Sequence, residues 1–177
     1  SKTMKIKSIL FLALITSIYF ILLFFIFSNR FMLKEVMIGV VYSLAMFLAP
    51  VYVNQSAALE LNNLILYGQI LILAISNTLI FAWYDHDGDI TDGHVSLARN
   101  LGKGTVYRIV LLLIALLFIL VLAQMISFDS YIPQLIIGLM GVTLLFSLLA
   151  NRALCIEDRY RLIGDAVFII PIISLWL

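Results

Sequence analysis

NNLILYGQILILAISNTLIFAWYDHDGDITDG, residues 62 to 93, decides the reading of this chain: an apolar run without a single charge leads straight into Asp85, Asp87, Asp89 and Asp92. About 20 apolar residues suffice to carry a helix across the roughly 30 Å hydrocarbon layer of a bilayer. Residues 62–83 meet that length. Runs of the same kind stand at about 9–27, 35–53, 106–126 and 132–150, with a shorter one at 163–177. The pattern predicts an all-α, polytopic transmembrane helix bundle of about six spans, with residues 1–177 forming one integral-membrane domain. Composition agrees, since 64% hydrophobic residues, 12% charged residues and a mean hydropathy of +1.14 lie far from soluble domains of this length. The run at 163–177 is short and stops with the chain, and Ser1 stands where an initiator Met is expected, so the sequence reads as cut at both ends.

Several classes fall away at this point. A net charge of +1, with no basic stretch interleaved with exposed aromatics, argues against a nucleic-acid partner. The single Cys155 has no partner for an internal disulfide or a thiolate metal site and reads as an inert apolar residue. The first apolar run is too long, and too closely followed by others, for a cleaved signal peptide. Pro50 and Pro171 lie in predicted spans and mark expected kinks. Gly138, Gly141 and Ser147 are expected to let helices approach closely.

Basic residues set the expected orientation. Arg30 and Lys34 follow the first run, Arg99, Lys103 and Arg108 the third, and Arg152, Arg159 and Arg161 the fifth, while the other two connections contain none. Positively charged connections stay on the cytoplasmic side, so the Asp-rich stretch is predicted cytoplasmic, in a bacterial inner membrane. Lys2, Lys5 and Lys7 run against this polarity. An upstream portion carrying its own topological signals resolves the conflict.

If the third span continues as a helix past Trp83, Asp85 and Asp89 share one face at i, i+4 spacing, while Asp87 points elsewhere. Two carboxylates so placed repel unless a cation sits between them. Hard oxygen ligands at a wet membrane surface suit Mg²⁺ bridging to phosphate oxygens. An EF-hand calcium loop counted from Asp85 needs Gly at its sixth position and Glu at its twelfth, where the chain has Ile90 and Ser96. That reading fails. Asp89, Asp92, Gly93, Ala98 and Arg99 come close to the CDP-alcohol phosphotransferase pattern. Four residues separate Gly93 from Ala98, however, and the two later Asp ligands of that pattern are missing.

The stretch resembles the UbiA-type intramembrane prenyltransferases more closely. Their second Asp-rich motif, D-x-E/D-G-D-x-x-x-G-x-x-[ST]-L, fits Asp85, Asp87, Gly88, Asp89, Gly93, Ser96 and Leu97 in register, and Leu101-Gly102 continues in the same manner. Lys34 and Gly39 in FMLKEVMIG match a second, weaker patch. The chain departs from the family at Phe81, where Asn is usual, with Asn77 one turn away as a substitute, and at Glu35, where Arg is usual. The family's first motif, N-x-x-x-D-x-x-x-D, does not occur in the chain.

The resemblance implies the later part of a nine-span bundle that binds an isoprenyl diphosphate and a hydrophobic acceptor in a lipid membrane. It implies Asp85 and Asp89 as catalytic residues and Mg²⁺ ligands, Asp87 as a further ligand, and Lys34, Asn77, Asp92 and Arg99 as substrate contacts. Tyr19, Tyr42, Tyr67, Phe81 and Trp83 are candidates for an apolar trough, Asp165 for its wall and His94 for a proton acceptor. Three other readings stay open: a degenerate relative that binds lipid diphosphate without turnover, a CDP-alcohol phosphotransferase-like enzyme, and an ion-coupled carrier.

Overall fold

Backbone N–H and C=O groups in hydrocarbon need partners within their own segment, so apolar runs of this length fold as helices. A computed structural model describes residues 33–53, 59–127, 131–150 and 158–171, with Ser17, Ile21 and Leu154 as isolated positions. Every regular element among the described residues is helical: α1 (Lys34–Val53), α2 (Leu61–Asp92), α3 (Leu97–Leu101), α4 (Lys103–Ser127), α5 (Tyr131–Leu149) and α6 (Arg159–Val167). By length and composition, α2, α4 and α5 can each cross a membrane, which is compatible with a membrane protein. The run predicted at 9–27 lies outside the described residues except for Ser17 and Ile21.

Helix α2 is the central element. Its 32 residues measure about 48 Å, longer than the roughly 30 Å of hydrocarbon that a span has to cross, and the aspartates stand at its C-terminal end. Gly93, at φ 74°, caps it in the left-handed conformation that glycine adopts at least cost. Helix α1 runs antiparallel to α2, with Glu35 at Thr78, Gly39 on Ile75 and Phe47 on Tyr67. Gly39 is indispensable to this crossing, because a Cβ there would stand 2.9 Å from the Ile75 backbone. Helix α5 runs parallel to α2 on its other side, and α4 fills the space between them, its Leu117 meeting Gly141. The expected close packing holds at Gly141, where an added Cβ would meet Leu117 at 2.8 Å; at Gly138 the nearest atom is an ordinary 3.8 Å away.

The last predicted span is revised. A helix begins earlier, at Arg159, just after Asp158 in a left-handed conformation (φ 53°), and ends at Val167. Pro171 accounts for the stop, since its ring clashes with the carbonyl four residues back and it has no N–H to donate. It therefore follows this helix, and residues 172–177 of the predicted run lie outside the described residues.

Far from the aspartates, the buried Gln69 and Gln134 join α2 to α5 through an Nε2–H···Oε1 bond of 2.9 Å. Replacing Gln134 alone by Leu strands the Gln69 amide and is expected to destabilise the protein by about 1–2 kcal/mol, whereas the Gln69→Leu/Gln134→Leu double variant recovers most of the loss. Denaturation of the four proteins of this cycle in detergent measures both values. A double variant weaker than either single one counts against the interlock.

Candidate functional site

Helices α1, α2 and α6 border a half-open cavity of about 590 Å³ beside the aspartate-bearing end of α2. Four turns of α2 present Asn77, Phe81, Asp85 and Asp89 to it at four-residue intervals. Lys34 and Glu35 come from the start of α1, and Arg161 and Asp165 from α6. Further in, Ile38, Tyr42, Ala74 and Phe168 line an apolar interior where the Tyr42 and Phe168 rings meet at 4.8 Å. The rim thus carries four carboxylates against two cations. A divalent cation balances that excess, and a bare anion is disfavoured by it.

The aspartates occupy an electrostatically costly place. The C-terminal end of a helix carries a partial negative charge, and each carboxylate there costs roughly 0.3–1 kcal/mol. No basic residue stands in the last turn of α2 to offset it. Compensation for Asp85 comes from α6: Arg161 Nη2 donates to its Oδ1 at 2.9 Å, and the Tyr160 hydroxyl donates to the same oxygen. Arg161 Nε in turn donates to the Tyr160 oxygen at 3.1 Å. Tyr160 is buried, stacks on Tyr84 at 4.3 Å and meets the edge of Phe81. Burial, and then the hydrogen bond to Asp85, push its phenol far above the ordinary range, so it stays a donor. The bond to Asp85, followed by that to Tyr160, raises Arg161 further and keeps it charged. With Arg161 more than half exposed, at 56%, this ion pair is worth only about 0–1 kcal/mol.

Glu35 is buried at the rim, its Oε2 accepting the Leu97 N–H at 3.4 Å while Thr78 Oγ1 donates to its carbonyl at 2.9 Å. It fastens the start of α1 both to α2 and to α3. Ser96 caps α3 by accepting from the Arg99 N–H at 3.2 Å.

Of the residues expected at the site, Lys34, Asn77, Asp85 and Asp89 line the cavity, as do Tyr42, Phe81 and Asp165. Others lie elsewhere. Asp87 is turned to His86, at 2.9 Å, and to Lys103, at 3.4 Å, and Lys103 also sits 5.0 Å over the Trp83 ring. Asp92 is exposed at the helix end, and the Arg99 guanidinium donates to the His94 carbonyl at 2.9 Å. Tyr67 packs on Phe47, and Trp83 on Tyr84 and Tyr107. Tyr19 lies outside the described residues. The Asp-rich stretch, also readable as a solvated acidic loop, is helix throughout. Tyr160 and Arg161 were not anticipated at the site, and nothing in their spacing marks them, because they meet Asp85 from 75 and 76 positions away.

Among the described residues no group of three or more His, Cys, Asp or Glu side chains gathers as a metal cage. Mg²⁺ at phosphate sites needs only one or two carboxylates, with phosphate oxygens and water completing the shell. Asp85 and Asp89, one turn apart on the cavity wall, fit that requirement together with a phosphate ligand. A buried acceptor, Asn77 Oδ1, has no hydrogen-bond partner among the described residues and marks the polar part of the wall. Comparison with protein-family models, curated proteins and solved structures finds no match, so the resemblance to UbiA-type enzymes rests on the residues quoted from this sequence.

Proposed function

We propose that this chain is a UbiA-like membrane prenyltransferase, moving an isoprenyl group from a Mg²⁺-bound isoprenyl diphosphate to an aromatic, quinone-precursor or lipid acceptor. The observation that carries the reading is the pairing, in one cavity, of Asp85 and Asp89 one turn apart at a charged rim with an apolar interior behind them. A volume of about 590 Å³ falls in the range of roughly 300–1,000 Å³ usual for small-molecule sites.

In this reading Asp85 and Asp89 anchor the diphosphate at the rim through the cation, and Lys34 neutralises part of its charge. When bound, Mg²⁺ supplies positive charge that stabilises the departing diphosphate. Ile38, Tyr42 and Phe168 exclude water from the isoprenoid chain, and the faces of Phe81 and Tyr42 favour positive charge developing on the allylic carbon. Residues 1–177 then form the later part of a nine-span bundle in a bacterial inner membrane, with the rim on the cytoplasmic side.

A second reading, a relative that binds the lipid diphosphate without turnover, is favoured by one observation: among the described residues no three His, Cys, Asp or Glu side chains gather as a metal site, and the aspartate pair stands on a single helix. The two are separated by assay of the chain in lipid nanodiscs, with Mg²⁺, radiolabelled farnesyl diphosphate and a quinone-precursor or lipid acceptor. Mg²⁺-dependent binding with prenylated product supports the enzyme, and binding without product supports the binder. Absence of Mg²⁺-dependent binding sinks both.

A further inference from the structure

Asp85 faces two competing demands. Its Oδ1 already receives the Arg161 guanidinium and the Tyr160 hydroxyl, while the proposed metal site needs the same carboxylate as a ligand. A guanidinium and a divalent cation on one carboxylate repel each other and draw on the same negative charge, so the two compete for Asp85. Arg161 is the less confined of the two partners that α6 offers to Asp85. Its side chain is 56% exposed and lines the cavity, whereas the neighbouring Tyr160 is buried and pinned by its stack on Tyr84. Tyr160 thus holds α6 in place by a contact that does not involve the guanidinium. Gly164, one turn on, presses against Phe81 and Asn77 and holds the same docking.

We infer that Arg161 is a diphosphate-binding residue stored on Asp85. Without ligand it neutralises Asp85 at the negative end of α2, where the helix has no basic residue in its last turn. When the metal and its diphosphate arrive, Asp85 exchanges the guanidinium for the metal, and Arg161 turns to the diphosphate oxygens, whose geometry its planar fork fits in bidentate fashion. The exchange is cheap because the pair it breaks is exposed to solvent. It also makes each partner of the ligand depend on the other: the metal frees the arginine, and the diphosphate gives the arginine a destination. This inference rests on the Mg²⁺-diphosphate reading of the cavity.

The test is a pair of calorimetric titrations on the full chain in detergent, for wild type, Arg161→Met, Arg161→Lys and Asp89→Ala. The first titrates Mg²⁺ alone, and the second titrates farnesyl thiodiphosphate at saturating Mg²⁺. For Arg161→Met the two affinities are expected to move in opposite directions. Mg²⁺ alone binds more tightly, because its competitor for Asp85 is gone, and the thiodiphosphate binds about tenfold or more weakly, because a charge-assisted fork is lost. Arg161→Lys, which keeps the charge without the fork, falls between wild type and Arg161→Met in both titrations and carries the test if Arg161→Met does not fold. Affinities that fall together point to a purely structural α6 clamp, affinities that rise together point to a simple plug, and either result overturns the inference, as does no change. If Asp89→Ala abolishes thiodiphosphate binding while the Arg161 variants match wild type, only the stored arginine is refuted. If wild type itself shows no Mg²⁺-dependent binding, the reading of the cavity fails with it.

Discussion

Alanine at Asp85 or at Asp89 is expected to weaken Mg²⁺-dependent binding of an allylic diphosphate by about a hundredfold or more, above the roughly 10–100-fold that loss of a mere supporting group costs a metal site. The two carboxylates stand on successive turns of one helix wall, and a single remaining one leaves the metal too few protein oxygens to offset the diphosphate charge. Asp87→Asn is the internal control. Asp87 is almost fully exposed, is turned to His86 and Lys103 and lies outside the cavity, so its neutralisation is expected to change affinity less than threefold, which at about 0.65 kcal/mol is within the usual effect of an exposed ion pair. Titration of the three purified variants with a thiodiphosphate analogue decides the matter. Equal losses at all three positions would mark the region as a diffuse acidic surface, and the assignment of a metal pair would have to be withdrawn.

That contrast was legible in the sequence only in part. Four apolar runs, at 35–53, 62–83, 106–126 and 132–150, became helices whose ends agree with them to within three residues except at the C-terminus of α2, because a long uninterrupted apolar stretch has no other way to satisfy its backbone. The i, i+4 relation of Asp85 and Asp89 followed from helical geometry once α2 was known to continue. Its continuation to Asp92 was the harder point, since YDHDGDITD has the composition of a loop, and only the absence of proline and the cap at Gly93 favour a helix. Side-chain bonds reinforce the helix there, with Thr91 Oγ1 donating to the Asp87 carbonyl at 3.0 Å and Lys103 reaching Asp87 from α4.

What the sequence did not reveal are the residues whose role depends on distant segments meeting. Arg161 read as a basic residue at the cytoplasmic edge, which is compatible with its place but silent about Asp85, 76 positions away. Glu35 read as a departure from the expected Arg. In the structure that departure is a buried carboxylate that accepts a bond from the start of α3 and so positions the chain just beyond the aspartates. The third helix itself, five residues between a Ser96 cap and Gly102, is too short to leave any periodic signature.

Gly39→Leu is expected to be the most damaging single change to the fold around the cavity. An added Cβ at position 39 would stand 2.9 Å from both the N and the Cα of Ile75, and backbone atoms cannot step aside as the end of a side chain can. The helices must separate, at the cost of about 1–3 kcal/mol for an overpacked contact or more if α1 undocks. Because Gly39 also lines the cavity, displacement of α1 carries Lys34 and Glu35 away from Asp85 and Asp89 and widens the rim. Both the denaturation midpoint and the thiodiphosphate affinity should therefore fall. Gly68→Ala supplies the comparison, since position 68 lies in α2 with nothing within 4 Å of an added Cβ. There the gain in helix propensity, up to about 1 kcal/mol, is expected to leave the protein as stable as before or more so, with binding unchanged. Measured side by side in detergent, the two glycine variants separate close approach from flexibility. If Gly39→Leu matches wild type in midpoint and affinity, α1 does not rest on α2 as described, and the cavity loses one of its three walls.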